Sequence, residues 1–194
     1  MAKLYFRYGA VGSAKTLNLL AVAHNYRQQQ KRVLIIKPGL DTRFGASQVR
    51  SRAGLEQEAD VVLHAGDQID ESRLAGVDCL LVDEAQFLEA RVIDQLRHVA
   101  IEFRIPVICY GLRTDYRRRL FPGSQRLLEL ADSIEEVKTT CAFCNKKAIY
   151  NLKMVAGRAV PPDDLGPVVD LGCEEKYLPT CAGCYAAKIS RADG

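Results

Sequence analysis

Short apolar runs recur along the first two thirds of the chain, at residues 4–6, 32–36, 61–63, 79–82 and 106–110. They are too short for helices and rich enough in Val, Ile and Leu to predict buried strands. Between several of them, apolar positions repeat at helical spacing. Residues 16–29 set Leu17, Leu20, Ala21, Ala23 and His24 on one face, and residues 89–104 do the same with Val92, Ile93, Leu96, Val99, Ala100 and Phe103. A further helix is predicted over 124–131, followed by a last strand near 134–138. Short strands apolar on both sides, alternating with amphipathic helices, predict an α/β fold: a parallel sheet covered on both faces.

At Cys141 the pattern changes. The segment from Cys141 to Cys184 is bracketed by two CxxC pairs and interrupted by Gly157, Pro161, Pro162, Gly166, Pro167 and Gly172. It reads as a small, loop-rich subdomain of hairpins that needs a staple to hold itself. The chain is therefore divided into residues 1–140 and 141–194, with a short helical or frayed end from Tyr185 onward.

Composition works mainly by exclusion. With 48% hydrophobic and 26% charged residues, the chain has the make-up of an ordinary soluble globular protein. No run of apolar residues approaches membrane-spanning length, so no membrane partner is expected. The opening MAKLYFRYGAVGSAKT alternates like a strand and shows no signal-peptide core, so the cytoplasm is the expected compartment. A net charge of +3 is too small to argue for a nucleic-acid partner. The basic cluster Arg117, Arg118 and Arg119 reads as a solvated surface. Seven cysteines without a secretory signal do not suggest a disulfide framework. Cys79 and Cys109 lie in apolar runs and read as inert core residues, and Cys173 is left over.

Gly9-Ala10-Val11-Gly12-Ser13-Ala14-Lys15-Thr16 lies between a predicted strand and a predicted helix, the setting of a phosphate-binding loop (P-loop). Unpaired N–H groups at a helix start bind phosphate oxygens. Lys15 can reach the β- and γ-phosphates of ATP, and the Thr16 hydroxyl can ligate Mg²⁺. The usual spacing asks for glycine just before the lysine, where this chain has Ala14. If the backbone there needs a positive φ, alanine costs on the order of 1 kcal/mol. Gly12 can absorb part of that geometry. As a plain surface residue, Lys15 would oppose the helix dipole, and a bound polyphosphate removes the conflict.

The strand over 79–82 ends in Asp83-Glu84-Ala85-Gln86-Phe87. Alone, an apolar strand ending in two acids is common at a sheet edge. Downstream of a phosphate loop it takes the form of a Walker B element, with Asp83 holding Mg²⁺ and Glu84 as general base for a hydroxyl nucleophile. Arg43, in Asp41-Thr42-Arg43-Phe44-Gly45, is a candidate clamp on the transferred phosphate.

Cys141-x-x-Cys144 and Cys181-x-x-Cys184 offer four thiolates, the donor set of a closed structural Zn²⁺ site. The 36 residues between the pairs exceed compact ribbon spacing, so the metal is expected to close the base of a long loop. A redox role is disfavoured, because neither pair is expected beside a helix start in a βαβ unit.

Taken together these residues resemble the zinc-containing thymidine kinases of the cellular cytosolic type, which also occur in many bacteria. The likeness runs from Lys3 to Cys184. It rests on Tyr5-Phe6-Arg7-Tyr8-Gly9 leading into the loop, on the Asp41 and Asp83 motifs, on Tyr110-Gly111-Leu112-Arg113-Thr114-Asp115-Tyr116, on the cysteine pairs and on Glu175-Lys176-Tyr177.

The resemblance implies a P-loop (RecA-like) sheet flanked by helices, with a C-terminal zinc-bound subdomain whose long loop forms a lasso over the thymine base. It implies ATP, Mg²⁺ and structural Zn²⁺ as cofactors. ATP would lie on residues Gly9 to Thr16 and on Asp83, Glu84, Ala85 and Gln86. Thymidine would lie among Phe87, Leu112, Tyr116, Val168, Val169, Asp170, Leu171, Gly172 and Tyr177. Glu84 matches the family's base. The family further implies a homotetramer inhibited by the triphosphate end product, dTTP. Two departures stand out, Ala14 in the loop and Cys173 where many members have glycine.

Two other readings use the same residues. A nucleotide-binding regulatory protein would keep this fold after Ala14 had cost it catalysis, but intact Lys15, Thr16, Asp83 and Glu84 argue against decay. A zinc-ribbon nucleic-acid binder is disfavoured by the low charge and by the lack of interleaved basic and aromatic residues.

Overall fold

The computed structural model describes residues 1–40, 47–164, 166 and 177–190. Of the expected site residues, Arg43, Val168, Val169, Asp170, Leu171 and Gly172 lie outside the described residues, as does Cys173.

In chain order the strands and helices are β1 (Leu4–Tyr8), α1 (Lys15–Gln28), β2 (Val33–Pro38), β3 (Gln48–Arg50), β4 (Glu56–Glu58), β5 (Val61–Leu63), β6 (Cys79–Val82), α2 (Ala90–Glu102), β7 (Val107–Gly111), α3 (Pro122–Leu130), β8 (Ser133–Glu136), β9 (Tyr150–Val155), β10 (Arg158–Ala159), β11 (Tyr177–Thr180) and α4 (Ala182–Ser190). Single 3₁₀ turns lie at Glu71–Leu74 and Ala85–Phe87. Among the described residues, six strands form one parallel sheet in the order β5-β2-β6-β7-β1-β8. The α/β expectation holds.

Alternation along the strands sorts the core into two layers. Leu34, Ile36, Leu80, Val82 and Val107 face α2 and α3, where Val92, Ile93, Leu96, Val99 and Leu127 are buried against them. Val33, Ile35, Leu81 and Ile108 point the other way, onto Leu19, Leu20 and Ala23 of α1. The α2 face is as its periodicity predicts, apart from Phe103, which remains partly exposed. The α1 face is rotated from the expected one. Leu19, Leu20 and Ala23 are buried, while Ala21 and His24 face solvent and Leu17 is half-buried. The sheet contact, rather than the densest apolar count, selects the stripe.

The C-terminal part carries a three-stranded antiparallel sheet, β10-β9-β11. Helix α4 packs back on it through Tyr185, which is buried with Leu152 and Ala159. β3 and β4 pair as a small hairpin that the sequence pattern did not suggest. It is tied to the main sheet by Lys37, whose buried ammonium donates to the Gln48 carbonyl at 2.9 Å. Among the described residues, no helix is long and apolar enough to cross a membrane.

Candidate active site and thiol cluster

The expected nucleotide-site residues converge at the carboxyl edge of the parallel sheet. β1 feeds the glycine loop, and the loop turns directly into α1. Ala14 stands at the helix N-cap with φ 62° and ψ 27°, and Gly12 has φ 76°. The left-handed backbone that the loop demands is therefore present at Ala14, despite its Cβ. α1 has no side-chain cap hydrogen bond and no acid within its own first turn. The Lys15 side chain is buried over the loop. Its ammonium donates to the carbonyls of Gly9 and Ala10 at 3.1 and 2.9 Å and to Ser13 Oγ at 3.3 Å.

Asp83 follows β6 and extends its ladder, since its N–H donates to the Ile36 carbonyl at 2.9 Å. That placement brings its carboxylate to Thr16, whose hydroxyl lies 3.1 and 3.3 Å from the two oxygens. A threonine hydroxyl and a carboxylate meeting at a phosphate loop are oxygen donors of the kind Mg²⁺ accepts. Glu84 comes next with φ 47°, starting the turn Ala85–Phe87. The buried Gln86 side chain lies between its carboxylate and the backbone of Leu112.

The aromatic positions sit around the same edge. Phe87 meets Phe121 edge to face at 5.6 Å between centroids. Tyr116 is nearly fully buried rather than presented as an open platform. Its hydroxyl lies 3.3 Å from Asp164 Oδ2, its carbonyl accepts the Tyr185 hydroxyl at 2.6 Å, and the Lys153 ammonium stands 5.0 Å from its ring centroid. Tyr177 pairs in register with Lys153, so both tyrosines flank one lysine. Burial raises the pKa of Tyr116, partly offset by the Arg117 contact.

The basic cluster is not simply solvated. Arg117 donates to the carbonyls of Asp164 and Gly166 at 2.5 and 2.6 Å, and Arg118 lies over the Tyr185 ring at 5.0 Å. Sequence spacing shows charge density, but not the carbonyls a distant segment will present.

Cys141, Cys144, Cys181 and Cys184 converge with all four Sγ atoms within 4.8 Å of one another. Cys144 Sγ lies 3.7 Å from Cys181 Sγ and 3.6 Å from Cys184 Sγ. Tetrahedral Zn–S bonds of about 2.3 Å require sulfur separations of about 3.8 Å, so the cluster fits such an ion. Burial opposes ionisation of Cys141, but the N–H groups of Cys181 and Phe143 and the thiols of Cys144 and Cys184 outweigh it and bring it to about 6. The second pair does adjoin a helix start, contrary to expectation, because α4 begins at Ala182. The strand before it is antiparallel and the first pair faces it, so no βαβ redox unit results. Cys79 and Cys109 are fully buried, and desolvation raises both thiols, Cys79 to about 11.

Asn151 is a contact to the loop that the sequence pattern did not reveal. It is buried in β9 and reaches the phosphate loop, accepting the Val11 N–H. A lone asparagine in a strand carries no signal of so distant a partner.

Fold and site together define a protein of the P-loop α/β class with an attached four-thiol module. The thymidine kinase family model matches residues 2–185, and the chain belongs to that family. A thymidine kinase of Lactiplantibacillus plantarum is 45% identical over 187 residues, covering 95% of this chain and 96% of that one. Those of Lactococcus lactis subsp. lactis and Enterococcus faecalis are each 42% identical, over 188 and 187 residues. Each match covers 95% of this chain, with 97% and 95% of the respective relatives.

Proposed function

We propose that this chain transfers the γ-phosphoryl group of ATP to the 5′-hydroxyl of thymidine, giving dTMP and ADP. The observation that carries the reading is the contact of Thr16 with Asp83 beside Glu84 at the phosphate loop, in a chain of the thymidine kinase family. The N–H groups entering α1, with Lys15, take the β- and γ-phosphates. Thr16 and Asp83 are the ligands for Mg²⁺, which when bound neutralises phosphate charge. Glu84 accepts the 5′-hydroxyl proton as the O5′–P bond forms and the bond from Pγ to the β–γ bridging oxygen breaks. Arg43 serves as the clamp on the transferred group. Phe87, Leu112, Tyr116 and Tyr177, with residues 168–172, hold the base. The four cysteines hold a structural Zn²⁺, in keeping with their sulfur separations.

The family resemblance extends the proposal to a cytoplasmic homotetramer inhibited by dTTP, with deoxyuridine as a secondary substrate. A nucleotide-binding regulatory protein is the reading that Ala14 favours, through its strained φ. The placement of Lys15, Thr16, Asp83 and Glu84 supports catalysis instead.

The deciding experiment is ADP release with Mg²⁺·ATP and a panel of nucleosides, with Lys15→Ala as the blank. Turnover with thymidine and not with purine nucleosides is expected. Silence across the panel, in folded protein that holds zinc, would transfer the assignment to the regulatory reading.

A further inference from the structure

Gln86 occupies the middle of the turn after Glu84, and only 1% of its surface is exposed. Its amide has a fixed orientation. Oε1 accepts the Leu112 N–H at 2.9 Å, and Nε2 donates to Glu84 Oε2 at 2.5 Å. A backbone N–H can only donate, so the oxygen end must face Leu112 and the NH₂ end must face the carboxylate.

The turn that carries this contact has no slack. A Cβ on Gly111 would lie 2.6 Å from Gln86 Oε1 and 3.2 Å from Gln86 N. On the other side, a Cβ on Gly123 would lie 2.5 Å from the Ala85 carbonyl oxygen and 2.7 Å from that of Leu88. The end of β7 and the start of α3 therefore grip the turn, and Glu84 is held at its left-handed φ.

We propose that Gln86 is a positioning residue for Glu84 rather than a nucleotide contact. Its amide, held at the other end by the Leu112 N–H, fixes the orientation in which the Glu84 carboxylate is presented. This rests on the reading of Glu84 as the general base.

The test is the split between kcat and KM in Gln86→Glu. The new side chain still accepts from Leu112, but it replaces the donor facing Glu84 with an acceptor, so the carboxylate loses the contact that orients it. kcat is expected to fall roughly tenfold, with the KM values for ATP and thymidine within about twofold. An unchanged kcat in folded, zinc-loaded protein overturns the inference, as does an ATP KM that rises while kcat holds. If the variant does not fold, the side-chain amide of Gln86 in otherwise unaltered protein decides. Its ¹⁵N–¹H resonances should shift and its protons exchange faster in Glu84→Ala, and resonances indifferent to that substitution overturn the inference. Glu84→Gln separates the two ideas. Near-normal turnover there removes the base itself. An inactive Glu84→Gln alongside an unchanged kcat in Gln86→Glu removes only the positioning role.

Discussion

Asn151 Oδ1 accepts the backbone N–H of Val11 at 2.8 Å, while Asn151 Nδ2 donates to the Thr114 carbonyl at 3.1 Å. One buried side chain thus joins the C-terminal sheet to the phosphate loop and to the segment leading to Tyr116. Truncation to alanine strands a buried donor and a buried acceptor, each costly when unpaired. Asn151→Ala is expected to lower stability by about 1–3 kcal/mol in a denaturant melt. Steady-state rates should show a raised ATP KM. A normal ATP KM would mean that the loop keeps its shape without this anchor.

Ala14 holds φ 62°, a conformation that glycine adopts without a Cβ penalty. Glycine also adds freedom to the unfolded chain, which offsets part of the gain. Ala14→Gly is therefore expected to stabilise by up to about 1 kcal/mol and to leave the ATP KM equal or lower. Loss of nucleotide affinity in that variant would show that the methyl group contributes packing in the bound loop.

The thiol cluster joins the segment before β9 to the start of α4, so a metal held there would close the C-terminal sheet at its base. Stripping zinc, or Cys144→Ser, is expected to open β9, β10 and β11 to hydrogen exchange while β2, β6 and β7 stay protected. The Asn151 link carries the damage further, and ATP affinity should fall along with zinc content. Protected C-terminal strands in metal-free protein would show that packing alone sustains them.

Asp132 Oδ2 accepts the Leu4 N–H at 2.8 Å and pairs with Arg97. The Leu4 N–H, opposed by desolvation and aided by Arg97, holds its pKa below the ordinary aspartate value. The resulting stability is present above the unfolded pKa of about 3.9 and is lost as pH falls through the lower folded value. Asp132→Asn should therefore melt at a lower temperature than the parent at neutral pH. The gap should close in acid, and a gap constant down to pH 2 would rule out a charge origin.

Much of the main sheet was legible because its strands are apolar on both sides and its α2 stripe is regular. The site motifs were legible for a related reason: a loop between strand and helix, and acids at a strand end, are local patterns. The strand order was not legible, since pairing partners leave no local mark. β3 and β4 were missed because segments such as Glu56–Glu58 carry charge where a buried strand would carry apolar residues. Gln86 was expected among the nucleotide contacts, but the orientation of its amide toward Glu84 depends on β7 bringing Leu112 alongside. Arg117 was misread for the same reason, because its carbonyl partners are more than forty residues away in the chain.

The strand that leads into the phosphate loop is the first made, yet both of its neighbours come late. Leu4 pairs with Val107 of β7, and Tyr5 with Ser133 of β8. As the chain leaves the ribosome, β2, β5 and β6 can pair among themselves while β1 has no partner strand. The phosphate loop therefore has no paired strand behind it on a nascent chain until β7 has emerged, and it gains the Asn151 anchor later still. Truncated or stalled products would expose an apolar strand without competing for ATP, which makes them substrates for chaperones rather than weak enzymes.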